Sequence, residues 1–597
     1  MDQDRKAFPM KRQEELKWNG WGYRDSKFDY HIETDSCVFS GSRYPMSGST
    51  MPHLMKWFRD NLGAKMSEYT PPQPLDMSKI PQAIRCPEFM ESAQPWCKFM
   101  SEDPEDRLMH GHGHLCEEIY MLRNNLYYDK RIPDLVVYPS SHNDVVELVK
   151  LASKYNVVLI PMGGGTSVSG ALICPEEETR SIVSLDMTEM NRIHWIDPEN
   201  LMAHIEAGII GQDLEKKLER EGFTTGHQPD SMEFSSLGGW VATRASGMKK
   251  NVYGNIEDMV VRIKMVTAKG TIEKSCQVPR ISAGPDVHEF ILGSEGTLGV
   301  VTEVTMKIKP LPECTKYGSV IFPEFEKGIK FMQGVSRRKV YPASIRLMDN
   351  GQLRFGLALK PEKSLIERFT DHIKQMYITR LRGFNPEKIA LCTVVFEGHT
   401  DKVIKEESDI YSIAAQYGGI PAGEANGKNG YLLTFSIAYL RDLGMNYGYL
   451  AESFETSVPW DRVSDLIKNV IQRVKSVCEE QGVRNVPYIS SRVTQCYDTG
   501  ACCYFYFGFY AGDLPNPLEV YTILETSARE EVLANGGSVS HHHGIGKVRA
   551  QFLEDTISSA GKQALIAVKH GLDPQNIFGS GNLTGVVGPT GALNSKL

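Results

Sequence analysis

The chain has 597 residues, 41% hydrophobic and 23% charged, with a formal net charge of -8. That length predicts two to four domains, and the acidic balance excludes the basic excess typical of a nucleic-acid binder. No apolar run approaches the roughly 18 residues of a membrane span, no apolar leader follows Met1, and the 12 cysteines include no Cys-x-x-Cys pair, a pattern that suits free, mostly buried thiols in a reducing compartment.

Residues 1–128 are expected to be mainly helical, with loops. Within them Lys17-Trp18-Asn19-Gly20-Trp21-Gly22-Tyr23 reads as a packing anchor. His110, His112 and His114 precede Cys116 at a spacing that matches no standard zinc pattern, so they read as loop histidines approaching a helix, and no metal site is expected. Residues 129–311 form a first domain. Leu135–Tyr138, Val157–Ile160, Ile182–Leu185, Met202–Ala207, Val260–Thr267 and Gly299–Ile308 read as strands. Ser140 to Asn143 carries turn and N-cap chemistry, and Val145, Leu148, Val149 and Ala152 recur at helical spacing, which predicts a helix to about Tyr155. A second helix opens at Gly211 and stops at Gly222. Residues 312–540 alternate strands with longer amphipathic helices and form an α/β cap. Residues 541–597 start with a histidine run and end in Ser595-Lys596-Leu597, a C-terminal peroxisomal address read by an import receptor.

Pro161-Met162-Gly163-Gly164-Gly165-Thr166-Ser167 directly follows a predicted strand. Consecutive glycines remove Cβ atoms and let backbone N–H groups converge on an anion such as a diphosphate; a plain tight turn uses the same residues. Three more small, polar segments follow: Asp230-Ser231-Met232-Glu233-Phe234-Ser235-Ser236, Thr243-Arg244-Ala245-Ser246 and Glu295-Gly296-Thr297-Leu298-Gly299-Val300-Val301. Four such segments suit a long ligand carrying a diphosphate. In this order they resemble the FAD-binding domain of the vanillyl-alcohol-oxidase and p-cresol-methylhydroxylase type. The resemblance implies an α+β fold of two subdomains, with noncovalent FAD held between them by these residues.

Ser540-His541-His542-His543-Gly544-Ile545-Gly546 places three adjacent histidines on a turn, suited to acid/base work or to a surface or metal-binding role. In Tyr504-Phe505-Tyr506-Phe507, alternation puts the tyrosines on one strand face, where core packing and proton transfer are both open to Tyr504. Arg346 and Arg441 sit in apolar surroundings and need partners, either nearby carboxylates (Asp349, Asp442) or a substrate phosphate.

Lys17 to Phe28, Arg346, Tyr504 to Phe507, the histidine triplet and the terminal Ser-Lys-Leu together resemble the alkylglycerone-phosphate synthase (alkyl-dihydroxyacetonephosphate synthase) family. D-lactate-dehydrogenase relatives typically carry Glu where His542 stands, which disfavours the alternative, an FAD-dependent 2-hydroxyacid dehydrogenase. The resemblance implies exchange of the acyl chain of 1-acyl-dihydroxyacetone phosphate for a long-chain fatty alcohol, an ether-forming step without net redox. It also implies Tyr504 as acid/base, Arg441 on the phosphate, His541, His542 and His543 as an active-site cluster, and Arg346 as a nearby residue important for activity. Ser580 to Thr584 is implied to pass near the site. A homodimer in peripheral contact with the lumenal side of the peroxisomal membrane is expected on the same ground.

Overall fold

The computed structural model describes residues 14–362, 377–485 and 487–588; the terminal Ser595-Lys596-Leu597 lies outside the described residues. The leading region, expected to be mainly helical, is mixed. Strands β1 (Phe28–His31), β2 (Ser36–Phe39) and β3 (Thr50–Met51) form a small antiparallel sheet in the order β1-β2-β3. Their short length hides any alternation in the sequence. This region packs on the cap: Trp21 N donates to Asp442 Oδ2 at 3.0 Å and Tyr23 N to the Tyr439 hydroxyl at 3.0 Å.

The first half of the cofactor domain is a four-stranded sheet. Strand β4 (Phe99–Ser101) pairs antiparallel with β5 (Leu135–Tyr138), helix α1 (His142–Tyr155) crosses over, and β6 (Val158–Met162) and β7 (Ile182–Asp186) complete the order β4-β5-β7-β6, with β5, β7 and β6 parallel. Helix α1 forms where its apolar spacing predicts: Ser141 Oγ accepts from Asp144 N, Val145, Leu148, Val149 and Ala152 are buried, and Asn156 ends it in the left-handed region at φ 54°. The second half is a five-stranded antiparallel sheet of β8 (Ile193–Asp197), β9 (Met202–Glu206), β10 (Val260–Thr267), β11 (Gly270–Ile272) and β12 (Val300–Lys307), in the order β11-β10-β12-β9-β8.

The cap is one seven-stranded antiparallel sheet. Its strands are β13 (Cys314–Phe322), β14 (Ser344–Met348), β15 (Ala390–Gly398), β16 (Ile420–Pro421), β17 (Tyr449–Pro459), β18 (Tyr488–Cys496) and β19 (Gly500–Tyr510), ordered β16-β13-β15-β14-β18-β19-β17. One face packs on amphipathic helices. The helix at Val463–Glu480 buries Val463, Leu466, Ile467, Val470, Val474 and Val477, a 3.6-residue repeat, against the sheet core that holds Phe454, Phe505 and Phe507. The other face is polar and looks toward the cofactor domain. The last helix, at Leu553–Leu572, returns to that domain, where Val568 and Leu572 pack on the core around Leu214 and Trp240.

Candidate active site

A cavity of about 2040 Å³ lies between the cap sheet and the cofactor domain. Small-molecule pockets commonly enclose about 300–1,000 Å³, so this one has room for a dinucleotide together with a second ligand. The glycine turn 161–167 lines it at the carboxyl end of β6, joined by Asp230, Ser231, Ser235, Ser236, Thr243, Ala245, Ser246, Glu295, Gly296, Gly299, Val300 and Val301. The glycines are required by contact as well as by turn geometry. A Cβ on Gly164 would stand 1.9 Å from the Phe234 carbonyl oxygen, and one on Gly163 2.0 Å from Ser236 Oγ. Two of the four sequence segments are thus pressed backbone to backbone, leaving a wall of main chain and hydroxyls that suits an FAD diphosphate. Gly164→Ala is expected to purify with little or no bound flavin, measured as the ratio of visible to ultraviolet absorbance.

Six residues of those segments lie off the cavity wall. Met232 and Leu298 face the apolar core of the five-stranded sheet. The Glu233 carboxylate accepts from the Tyr44 hydroxyl at 3.1 Å, and Phe234 packs on Trp21 and Tyr23. Arg244, at φ 52°, pairs with Glu289, and Thr297 Oγ1 donates to the Ser294 carbonyl. Glu295 lines the cavity, but its carboxylate accepts from Ile545 N and Gly546 N, each at 2.7 Å, and so anchors the histidine turn; burial pushes it up to about 7.

The cap supplies the titratable side chains Arg492, Tyr504, His542 and His543 of the cavity lining. Cross-strand register pairs Glu455 of β17 with Tyr504 of β19, and Tyr504 with Arg492 of β18. Arg492 in turn pairs with Met348 of β14, two residues from Arg346. Directly opposed residues share a sheet face, so Glu455, Tyr504, Arg492 and Arg346 stand on one face, with Phe505 and Phe507 on the other. The predicted alternation of the tyrosines holds.

The Tyr504 hydroxyl is 2.8 Å from His543 Nε2, and His543 Nδ1 is 3.5 Å from Glu455 Oε1. Glu455, which sequence reasoning missed, is fully buried. It gathers the histidine turn by accepting from Ser540 Oγ at 2.7 Å, His541 N at 2.9 Å, His542 N at 3.1 Å and His543 N at 2.6 Å. Burial would raise its carboxyl, but His543, His542, Arg529 and Arg549 outweigh burial and hold it well below the usual carboxylate range. Burial lowers His541 and His543 to about 3, against the pull of Glu455, and lifts the Tyr504 phenol well above its usual range. His541 Nδ1 is 2.8 Å from His542 Nδ1, and His541 Nε2 is 2.6 Å from the Tyr497 hydroxyl.

Neither arginine takes the carboxylate nearest in sequence. Asp349 caps the helix after β14 by accepting from Gln352 N at 2.9 Å, and Asp442 pairs with Lys17 at 3.1 Å. Arg346 instead bonds Asp230 Oδ1 at 2.9 Å and Thr434 Oγ1 at 2.7 Å; it is not on the cavity wall itself. Arg441 spends one Nη on the His114 carbonyl, while its Nε and second Nη are buried without a partner among the described residues. Trp21, expected as a packing anchor, also lines the cavity beside His114. His110, His112 and His114 diverge: His110 Nε2 meets Asp186 Oδ2 at 2.8 Å, His112 Nδ1 meets the Gly113 carbonyl at 2.8 Å, and His114 lines the cavity. Ser580 and Asn582 of the C-terminal segment also line it.

An FAD binding domain model matches residues 133–275, and a model for the C-terminal domain of FAD linked oxidases matches residues 311–583. The chain is 49% identical over 575 residues to the alkyldihydroxyacetonephosphate synthase of Caenorhabditis elegans, covering 96% of each chain. A solved structure of an alkyldihydroxyacetonephosphate synthase superposes with TM-score 0.81 at 29% identity, covering 97% of this chain and 99% of that one. Substrate-bound p-cresol methylhydroxylase shares the fold, with TM-score 0.62 at 15% identity over 87% of this chain and 100% of that one. The mitochondrial D-lactate dehydrogenase of Arabidopsis thaliana is distant, at 24% identity over 81% of this chain and 77% of its own.

Proposed function

The chain belongs to the alkyldihydroxyacetonephosphate synthases, FAD enzymes, and we propose that its cap residues run the family's exchange of an acyl chain for a fatty alcohol on dihydroxyacetone phosphate. What supports this reading is that Arg441, with two guanidinium nitrogens unpartnered among the described residues, and the hydrogen-bonded pair Tyr504 and His543 line the same cavity. FAD, which the glycine turn 161–167 with Ser235 and Ser236 would hold, would supply an electron-deficient ring for an exchange without net redox.

The Nε and free Nη of a guanidinium form the edge that meets two phosphate oxygens at once. Both are the unpartnered atoms of Arg441. Anchoring the phosphate there orients the carbon that bears the acyl group, so that remote binding energy serves the reacting bond. Arg441→Met is expected to raise KM for the acyl substrate about 100-fold, the loss of a charge-assisted bidentate contact, with a smaller change in kcat; an unchanged KM would overturn the assignment.

The acid/base unit is built from Glu455, His543 and Tyr504. Glu455 faces His543 Nδ1 and favours the proton there, which leaves the Nε2 lone pair to accept from the Tyr504 hydroxyl. Tyr504 then exchanges a proton with the reacting carbon or the entering alcohol, and His543 stores it. Arg346 acts through Asp230, which it holds at the cavity wall. The apolar arm of the cavity, lined by Met46, Trp57, Phe355, Leu357, Leu391 and Leu433, suits the two long chains.

The terminal Ser595-Lys596-Leu597 supports peroxisomal import through a receptor, and with it a place in ether-lipid (plasmalogen precursor) synthesis. Among the described residues no helix is long and apolar enough to cross a membrane. The family resemblance supports peripheral contact with the lumenal side of the membrane, a homodimer and noncovalent FAD. The test is incubation of the purified FAD protein with palmitoyl-dihydroxyacetone phosphate and hexadecanol, without an electron acceptor. One ether product and one palmitate should appear per turnover; oxidation of D-lactate or glycolate in place of exchange would overturn the reading.

A further inference from the structure

Two guanidiniums on the cap sheet share one carboxylate. Arg346 takes Asp230 Oδ1 at 2.9 Å, while Arg492 reaches Asp230 Oδ2 only at 3.9 Å. Both arginines are 6% exposed, and the Nε of each is buried with no partner among the described residues. Burying a cation is costly unless it is paired, and of these two only Arg346 has the Asp230 carboxylate at hydrogen-bond distance. Of the two side chains, Arg492 lines the cavity, beside Tyr504, Tyr506 and His542. Its guanidinium lies over the rings of Tyr504 and Tyr506, 5.2 and 4.7 Å from their centroids. Burial, with Arg346 as its neighbour, brings Arg492 down to about 10, against the pull of Asp230.

This is not the Arg441 position. Arg492 stands on β18 and Tyr504 on the adjacent β19, while Arg441 sits in the helix Tyr439–Met445, which leads into β17 on the far side of β19. The two cations therefore come from different elements of the cap, and both line the cavity. The exchange leaves two anionic groups in one cavity, the substrate phosphate that stays and the carboxylate it releases, and one guanidinium per anion suits that count.

We propose that Arg492, backed by Arg346 and Asp230, is a second anion subsite that takes the carboxylate of the departing acyl chain. The inference rests on the exchange reaction proposed above. The C–O bond between the three-carbon unit and the acyl group breaks with its electron pair on the carboxylate oxygen. The alcohol oxygen forms the new C–O bond, and the alcohol proton passes to the Tyr504–His543 pair. Charge builds on the carboxylate as the bond breaks, so a guanidinium there favours departure more than ester binding.

The test uses the FAD-loaded full chain and two inhibitors, palmitate and inorganic phosphate. In Arg492→Met, palmitate inhibition is expected to weaken about 10-fold or more, with kcat reduced, while phosphate inhibition stays within twofold of wild type. Arg441→Met is expected to show the reverse pattern. Unchanged palmitate inhibition in Arg492→Met, or equal weakening toward both anions, overturns the subsite. If Arg492→Met fails to retain flavin, Arg492→Lys carries the test, with an intermediate loss of palmitate inhibition expected and no loss overturning the proposal. Failure of the wild-type enzyme to exchange chains would instead sink the reaction assignment, so the two failures are distinguishable.

Discussion

Tyr504→Phe is expected to keep its FAD and its fold while the exchange rate falls about 10²- to 10⁴-fold, the range of a lost acid/base group. The substitution removes one hydroxyl whose partner is His543 Nε2 and leaves the ring, which stacks on Tyr506 with centroids 5.5 Å apart, in place. The stability loss should be about 1 kcal/mol, that of one hydrogen bond, read as a small drop in the unfolding midpoint. Labelled hexadecanol incorporation and the flavin spectrum measure the two effects separately; a near-wild-type rate would remove Tyr504 from the chemistry. The pH profile adds a second reading. His543 is held at about 3 by burial and Tyr504 lies well above its usual range, so neither changes charge between pH 5 and 8. The rate should therefore show no limb from His543 near the ordinary histidine value of about 6.5.

Glu455→Gln should cost at least about 100-fold in rate through loss of the histidine turn's geometry, together with about 3–5 kcal/mol of stability, as for removing one partner of a buried charge network. The carboxylate accepts three backbone N–H groups and the Ser540 hydroxyl. A glutamine offers one acceptor oxygen and turns an NH₂ toward the remaining donors. The folded-state carboxyl of Glu455 is depressed, so its stabilisation is present above the ordinary glutamate value of about 4.3 and is lost as pH falls from there through the lower folded value. Denaturation midpoints measured against pH should show this acid loss in the wild type and not in the variant. A variant with unchanged rate and the same acid limb would show that the turn is held by other contacts, such as Glu295.

Local pattern determined a good part of this protein. A glycine triplet after a short apolar strand can only be a turn with exposed backbone, the 3.6-residue spacing after Ser141 could only be a helix, and Tyr504 to Phe507 could only put its tyrosines on one face. Each depends on neighbours a few residues apart, where periodicity and Cβ sterics decide. Tertiary structure alone decided the rest. Glu455 and Arg492 look like ordinary strand residues until antiparallel register sets both opposite Tyr504. Asp230, rather than Asp349, answers Arg346 because the cofactor domain closes on the cap. Met232, Phe234 and Leu298 leave the cavity wall because neighbouring side chains in a turn or strand point different ways, and only packing selects which way faces the ligand. Partner choice among buried charges is set by distance in space, and sequence separation carries no information about that distance until the sheets are paired.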